Sequence, residues 1–286
     1  MGSISISPTP SLGPPFITVP DVPNFRCLGP FPIPESPDAP QNEFSNATKI
    51  YRSGQLSRIN PRGIAKLRTL NVTRIFDLRS GPEIVKYKMP TPYLGPELEI
   101  RHVPVFEDKD FSPEMVSRMY RDYGDEVDGG VHGFLRAYQD ILESAGPAYG
   151  EILRWMVESK EDEAALVHCS GGKDRTGVFC AMVLGLAGVG DEEVANDYQL
   201  TEIGLQEWRE AAIGKLMEEH REFVGQRKMA ERIFGSKAPV MRALIQKVRE
   251  RWGGWEGWCQ EVAGLSREEL DIIKKRMVVK ADKASL

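Results

Sequence analysis

A thiol, an amine and a guanidinium stand close together in the stretch LVHCSGGKDRTGVFCAMVL, residues 166–184. Cys169 is followed by Ser170, Gly171, Gly172, Lys173 and Asp174, then by Arg175 and Thr176. A short apolar run precedes the cysteine and a longer one follows the arginine. The order therefore reads strand, glycine-rich loop, helix. A loop entering a helix N-terminus presents unpaired backbone N–H groups and the positive end of the helix dipole, which together make an anion site. Gly171 and Gly172 let such a loop curl with no Cβ in the way. Arg175, six positions after Cys169, can fork two oxygens of a tetrahedral anion.

The thiol gains from the same charges. An ordinary cysteine is only a few per cent ionised at neutral pH. Helix N-termini and nearby cations bring thiol pKa values down to roughly 3.5–7.5, and a shift of ~3 units is worth about 4 kcal/mol. One set of charges thus holds a dianion and favours a thiolate beneath it. A phosphate monoester attacked at phosphorus by sulfur suits this arrangement. A nucleotide-binding G-x-x-x-x-G-K-[ST] loop does not fit, because Asp174 follows Gly172-Lys173 and Val167 stands five before Gly172.

Several elements must position this loop. Val72 to Arg79 is β-branched and apolar and reads as a buried strand, and the run around 98–105 alternates as a second. Residues 164–169, AALVHC, give a third short strand that ends at Cys169. Ile64, Leu67 and Leu70 share a helical face. Helical stripes recur at Phe134, Leu135, Tyr138, Ile141 and Leu142, where Gly146-Pro147 reads as a stop, and again at Tyr149, Ile152, Leu153, Met156 and Val157. The segment after Arg175 is apolar on most faces, so it predicts a central buried helix. Residues 205–234 read as an amphipathic helix on the body, with a lid over the pocket as the alternative, and Ser266 with Glu269 forms a capping-box pattern. Trp252, Trp255 and Trp258 read as core or lid rather than as a ligand cage. Residues 29–49 are Pro-rich and read as an irregular loop or arm. Few strands among many helices predict an α/β fold with a helix-rich C-terminal half. Residues 1–22 are rich in Ser and Pro and read as flexible, 23–280 as one domain, and 281–286 as a tail.

The chain has 286 residues, 41% of them hydrophobic, enough for one substantial core. A net charge of −5 gives no support for nucleic-acid binding. Cys27, Cys169, Cys180 and Cys259 show no metal-finger spacing and read as reduced thiols of a cytoplasmic protein. Neither a signal peptide nor a membrane-spanning run is expected. Ile6 also breaks the myristoylation pattern begun by Met1-Gly2.

HCSGGKDRTG resembles the signature of cysteine-dependent phosphatases, and in its fuller form the atypical tyrosine and dual-specificity phosphatases of bacteria and fungi. VPNFRCLGP at 22–30, YRSGQLS, IFDLRSGPE, NDYQLT at 196–201 and RERWGGWEGW at 249–258 are similar to further blocks of that family, in its order. Cys27 and Pro30 depart from it, standing where the family usually has Asp and Gly. The resemblance implies a phosphotyrosine-phosphatase-like fold, with a small, mostly parallel central sheet flanked by helices. It implies a phosphocysteine intermediate on Cys169 and no metal or cofactor. Ser170, Gly171, Gly172, Lys173, Asp174 and Arg175 would bind phosphate. His168 would support the loop through backbone hydrogen bonds. Thr176 would hydrogen-bond the sulfur and help it leave.

The leaving oxygen needs an acid. Asp108, in VPVFEDKD, stands where related phosphatases keep one, and Asp174 inside the loop is its rival. Lys173 either adds a second positive charge at the pocket mouth or is simply solvated. Arg52, Asp77, Arg79 and Glu83 read as an ion-pair network bracing the site. The expected activity is hydrolysis of phosphotyrosine in proteins, with phosphoserine/threonine included in a dual-specificity variant. A phosphoinositide substrate and a non-catalytic phosphate-binding adaptor are the alternatives. The oligomeric state is left open.

Overall fold

A computed structural model describes residues 12–34, 43–46, 48–107, 113–219, 223 and 225–280. Five strands, β1 (Arg26–Cys27), β3 (Ile50–Ser53), β4 (Val72–Asp77), β5 (Glu99–His102) and β6 (Ala164–His168), form one sheet in the order β1-β3-β6-β4-β5. All its pairs are parallel except β1 with β3. Strand β6 is buried throughout and β4 largely so, which explains their apolar runs, whereas edge strand β5 is mostly exposed. Ile75, Ala164 and Leu166 face one core with Leu67 and Leu98. Phe76, Ala165 and Val167 face the other, with Tyr149, Ile152 and Phe179.

Helix α1 (Pro61–Thr69) carries the chain from β3 across to β4, and α2 (Gly81–Lys86) follows β4. Three further helices, α3 (Pro113–Gly124), α4 (Val131–Ser144) and α5 (Gly146–Glu158), precede β6, and α6 (Asp174–Leu186) leaves it. Gly146 and Pro147 open α5 rather than merely stopping α4, since proline is tolerated in a first helical turn. Helix α6 is the expected central one: every residue from Thr176 to Leu184 is buried. Its Gly185 lies so close to Trp255 that a Cβ there would come within 2.3 Å of the ring.

The C-terminal half is helical as predicted, with α7 (Asp191–Gln199), α8 (Thr201–Gly204), α9 (Gln206–Glu219), α10 (Arg227–Ile233), α11 (Ala238–Trp252), α12 (Trp255–Glu261) and α13 (Arg267–Arg276). The single amphipathic helix expected over 205–234 is two helices, α9 and α10. The capping box at Ser266 and Glu269 is formed. Trp258 is core, its Nε1 donating to the Leu142 carbonyl.

Two sequence expectations are corrected. Residues 12–22 pack against the domain: Val19 and Val22 are buried, and Ile17 N–H donates to the Phe25 carbonyl. Apolar residues spaced between the prolines supply the contacts that composition hides. The arm at 29–49 contains a strand, β2 (Glu43–Ser45), which pairs antiparallel with β7 (Val278–Lys280) in a separate two-stranded ribbon.

Candidate active site

Strands β3 and β4 flank β6, so the chain departs from the sheet in different directions at one place. Ligands of open α/β sheets bind outside the carboxyl ends of the strands at such a switch point. The segments leaving β3, β4 and β6 there are Gly54–Gln55, Leu78–Ser80 and Cys169–Lys173. The structure brings them together.

The loop after β6 is held from outside, carbonyl by carbonyl. His168 O accepts from Leu78 N at 2.9 Å, and Ser170 O from Gln55 N at 3.0 Å. Cys169 O is 3.2 Å from His168 Nδ1. Gly171 O accepts from Asn24 Nδ2 at 3.0 Å, and Gly172 O from Arg52 Nη2 at 2.7 Å and from Asn24 Nδ2 at 3.2 Å. A trans peptide points its N–H away from its C=O. Each outward carbonyl therefore turns the following N–H inward. Among the described residues, the N–H groups of Ser170, Gly171, Gly172 and Lys173 have no protein acceptor. This is a nest of donors at the N-terminus of α6.

Only one of the two glycines is needed for its backbone. Gly172 has φ +65°, and a Cβ on it would lie 2.2 Å from Ser53 O. Gly171 has ordinary φ, and its Cβ would meet Leu205 Cδ1 at 3.4 Å, a normal contact.

Cys169 is 2% exposed and lines a cavity of about 1410 Å³. Ser170, Gly171, Lys173, Asp174 and Arg175 line it too. The walls include Phe16, Tyr87, Phe106, Tyr120, Trp208 and Phe234. Helix α9 forms one side through Trp208, Ala211, Lys215 and Leu216, so it is more than a face on the body.

Arg175 meets Glu83 end-on: Nη1 to Oε2 is 2.6 Å and Nη2 to Oε1 is 2.9 Å. Nη1 also reaches Leu78 O at 3.4 Å. A guanidinium has five N–H donors, so this leaves Nε–H and one Nη2–H on a single edge, the geometry that forks an anion side-on. Tyr149 Oη donates to Arg175 O at 2.5 Å and anchors the backbone. Glu83 is buried at the start of α2, where Ser80 caps the helix, and its Oε1 also accepts from Ser170 Oγ. Burial opposes its ionisation, but Arg175's charge and hydrogen bonds win, and Glu83 lies below the ordinary carboxylate range.

The four residues expected to brace the site as one network form separate ion pairs, with Glu83 on Arg175 as described. Arg79 grips Asp77 through Nε at 2.9 Å and Nη2 at 2.7 Å. Arg52 pairs with Asp197 at 2.6 Å. His168 is buried, and burial lowers its pKa, so the ring is neutral at pH 7.

Lys173 differs from both readings of the sequence. It is 5% exposed, and its Nζ donates to Ile233 O at 2.5 Å and Gly235 O at 3.1 Å. It sits over the rings of Tyr123 and Phe134 and is 3.4 Å from Asp174 Oδ1. Burial pulls its pKa down although Asp174 opposes this. The ammonium joins the loop to the end of α10 instead of waiting at the pocket mouth.

Asp174 faces the cavity with Oδ1 accepting from Tyr138 Oη at 2.8 Å, and Tyr138 Oη is 2.6 Å from Tyr198 Oη. Asp108 lies outside the described residues. Thr176 Oγ1 is buried and has no hydrogen-bond partner among the described residues.

Sequence reasoning missed Asn24, Gln55, Tyr138 and Tyr149. The two tyrosines sat unnoticed on apolar stripes, where a hydroxyl leaves no mark on periodicity. Asn24 and Gln55 lay inside quoted family blocks, the one signal that could have singled them out. Cys27, where the family usually has Asp, donates its thiol to Gly29 O at 3.0 Å, and burial pushes it up to about 12. Among the described residues no group of three or more His, Cys, Asp or Glu is placed to hold a metal ion, and no helix is long and apolar enough to cross a membrane.

Two curated relatives resemble the chain. A tyrosine-protein phosphatase of Nostoc commune is 26% identical over 147 residues, 49% of this chain and 48% of that protein, so the match spans about half its length. The triple specificity protein phosphatase PtpB of Mycobacterium tuberculosis is 24% identical over 250 residues, 79% of this chain and 89% of its own. The model of the tyrosine phosphatase family matches residues 17–279, nearly the whole of the sheet, the loop and the helices around them, and the chain belongs to that family.

Proposed function

We propose that the protein hydrolyses phosphate monoesters through a covalent phosphocysteine, with phosphotyrosine in proteins as its main substrate. The observation that carries this reading is the ring of inward N–H groups around Cys169, with the free edge of Arg175 beside it. Three equatorial phosphate oxygens take those donors, and the positive field favours the thiolate. Sulfur attacks phosphorus, the S–P bond forms and the P–O bond to the leaving group breaks. A carboxylic acid gives its proton to the departing oxygen. Water then attacks phosphorus, the S–P bond breaks, and the carboxylate takes the water's proton. The unpartnered Thr176 hydroxyl is the donor for the returning sulfur. The charge stabilisation comes from amides and a guanidinium, so the scheme calls for no metal or cofactor.

Asp174 is supported as the acid by its position on the cavity wall, with one oxygen engaged by Tyr138 and the other left for the substrate. Asp108 stays a candidate on its resemblance to the family pattern. Aromatic walls suit a phosphorylated phenol. Among the other cations lining the cavity, Lys173 is tied to carbonyls, Arg118 pairs with Asp140 and Lys215 lies 3.7 Å from Glu219, whereas Arg58 and Lys88 have no ion-pair partner among the described residues. Arg58 and Lys88 are left to meet the additional phosphates of an inositol head group, so that substrate class is compared directly with phosphotyrosine. Triple specificity, printed in the name of one relative, makes phosphoserine/threonine and phosphoinositides the comparison substrates.

The test is release of phosphate from phosphotyrosine peptides, phosphoserine/threonine peptides and phosphoinositides at equal concentration, in chelator. Phosphotyrosine is expected to lead. Cys169→Ser abolishes turnover and keeps binding, and loss of activity in chelator or full activity of Cys169→Ser overturns the mechanism. Asp108→Ala and Asp174→Asn separate the acids: the correct one slows an alkyl ester by about 10²–10⁴. Binding of phosphopeptide without turnover by the unmodified chain would leave the adaptor reading.

A further inference from the structure

Behind the loop lies a buried cluster that this chemistry does not use. Asp197 on α7 accepts from Arg26 Nε at 3.0 Å and from Arg52 Nη1 at 2.6 Å. Arg26 also donates to Asp197 O at 2.9 Å and to Thr201 Oγ1 at 3.1 Å. Its Nη1 donates to Asn24 Oδ1, which turns the amide so that Nδ2 faces the loop. That nitrogen then reaches both Gly171 O and Gly172 O. Arg26 and Arg52 are 0% exposed, Asp197 2% and Asn24 3%. Arg52 Nε is buried with no hydrogen-bond partner among the described residues.

Two guanidinium groups share one carboxylate, which leaves a surplus of one positive charge where water does not reach. A buried charge without a counter-charge is costly. The nearest natural counter-charge is an anion in the nest on the other side of the same peptides. Asn24 also holds φ +59°, a left-handed conformation that asparagine tolerates better than most residues.

We propose that Asn24, oriented by the Arg26–Asp197–Arg52 cluster, is a positioning residue that turns two loop peptides so that the N–H groups of Gly172 and Lys173 converge on a bound phosphate, whose charge balances the surplus on the cluster. This rests on the loop being a phosphate site. It goes further by assigning the loop's geometry to groups behind its peptides, of which Asn24 also reaches the cavity wall. Asn24 and the cluster draw on β1 with the residues just before it, on β3 and on α7, three separate parts of the fold.

The experiment is calorimetric titration of the full chain with inorganic phosphate, beside thermal unfolding in phosphate-free buffer. Asn24→Asp keeps shape and left-handed tolerance but sets a carboxylate against two carbonyl oxygens and cancels the surplus charge. Asn24→Gly keeps the backbone and removes the amide. Phosphate affinity is expected to fall at least tenfold in Asn24→Asp and severalfold in Asn24→Gly, with KM rising, while both melt within a few degrees of the wild type. Affinities within twofold of wild type in both variants overturn the proposal. Should neither variant fold, the wild-type amide resonances decide: phosphate must shift those of Gly172 and Lys173, and unmoved resonances overturn it. A chain that binds phosphate in an Asn24-dependent way yet turns over no monoester sinks the enzymatic reading and leaves this one standing. Turnover that is indifferent to Asn24 does the reverse.

Discussion

Gly172 and Gly171 are neighbours of the same type with different reasons to be glycine. At Gly172 any other residue must adopt a left-handed backbone, which costs about 1–2 kcal/mol, and must push its Cβ into Ser53 O. The loop can relieve that overlap only by shifting its amides, and a displacement of about 1 Å is enough to cost ~10²-fold in rate. Gly172→Ala is therefore expected to lower kcat/KM for an aryl phosphate by about 10²-fold or more. Gly171→Ala should stay within about threefold, because its methyl group finds ordinary contact distance. Equal losses in the two variants would contradict the geometry. The grouping of Cys169, Asp174 and Arg175 at one cavity was legible because the three lie within seven residues of one another in sequence. The donors that set the loop were harder to see, since Asn24 is 147 residues from the first carbonyl it caps. Lys173 was misread for a related reason: its carbonyl partners at 233 and 235 are backbone atoms, which carry no side-chain signature in sequence.

The elements themselves were more readable than their lengths or partners. Buried strands and amphipathic helices follow from apolar spacing, and the capping box of α13 follows from four residues. Ser266 Oγ accepts from Glu269 N at 3.2 Å and Glu269 Oε2 accepts from Ser266 N at 2.7 Å. Ser266→Ala is expected to cost about 1 kcal/mol, read by urea unfolding, with catalytic constants unchanged because α13 does not line the cavity. A loss well below that would mean the box is dispensable in solution. Strand β2 was missed because three residues at the end of a Pro-rich run have no period of their own. They become a strand only when β7 supplies the ladder.

The whole molecule carries opposed sets of buried acids and thiols. Burial opposes ionisation of Asp77, but His168 and the Arg79 guanidinium bring its pKa from 3.8 down to about 2. Asp197 is likewise lowered, its burial outweighed by Arg26 and Arg52. Folded values below unfolded ones mean stability present above about pH 4 and lost as pH falls through the window from about 4 to 2. In the other direction, burial raises Cys27, Cys180 and Cys259 from 9.0 to about 12. Their contribution is complete below pH 9 and is lost as pH rises toward 12. Lys49 and Arg26, lowered by burial to about 8 and about 10, and Lys173, also lowered by burial, work against this loss, while Tyr51, raised by burial to about 12, adds to it. Urea midpoints in reductant should thus form a plateau that falls on both flanks, and an unchanged midpoint between pH 5 and 3 would refute the acid side. The β2–β7 ribbon has a kinetic meaning as well. Asn46, just past β2, donates to Arg276 O across 230 positions. At a synthesis rate of about 5–20 residues per second, the early arm must wait roughly 10–50 s for its partner strand to leave the ribosome. Throughout that interval Phe31 and Ile33, which later pack on the core, lack their final cover, so the nascent chain is most exposed to chaperones and to aggregation just before its last helix emerges.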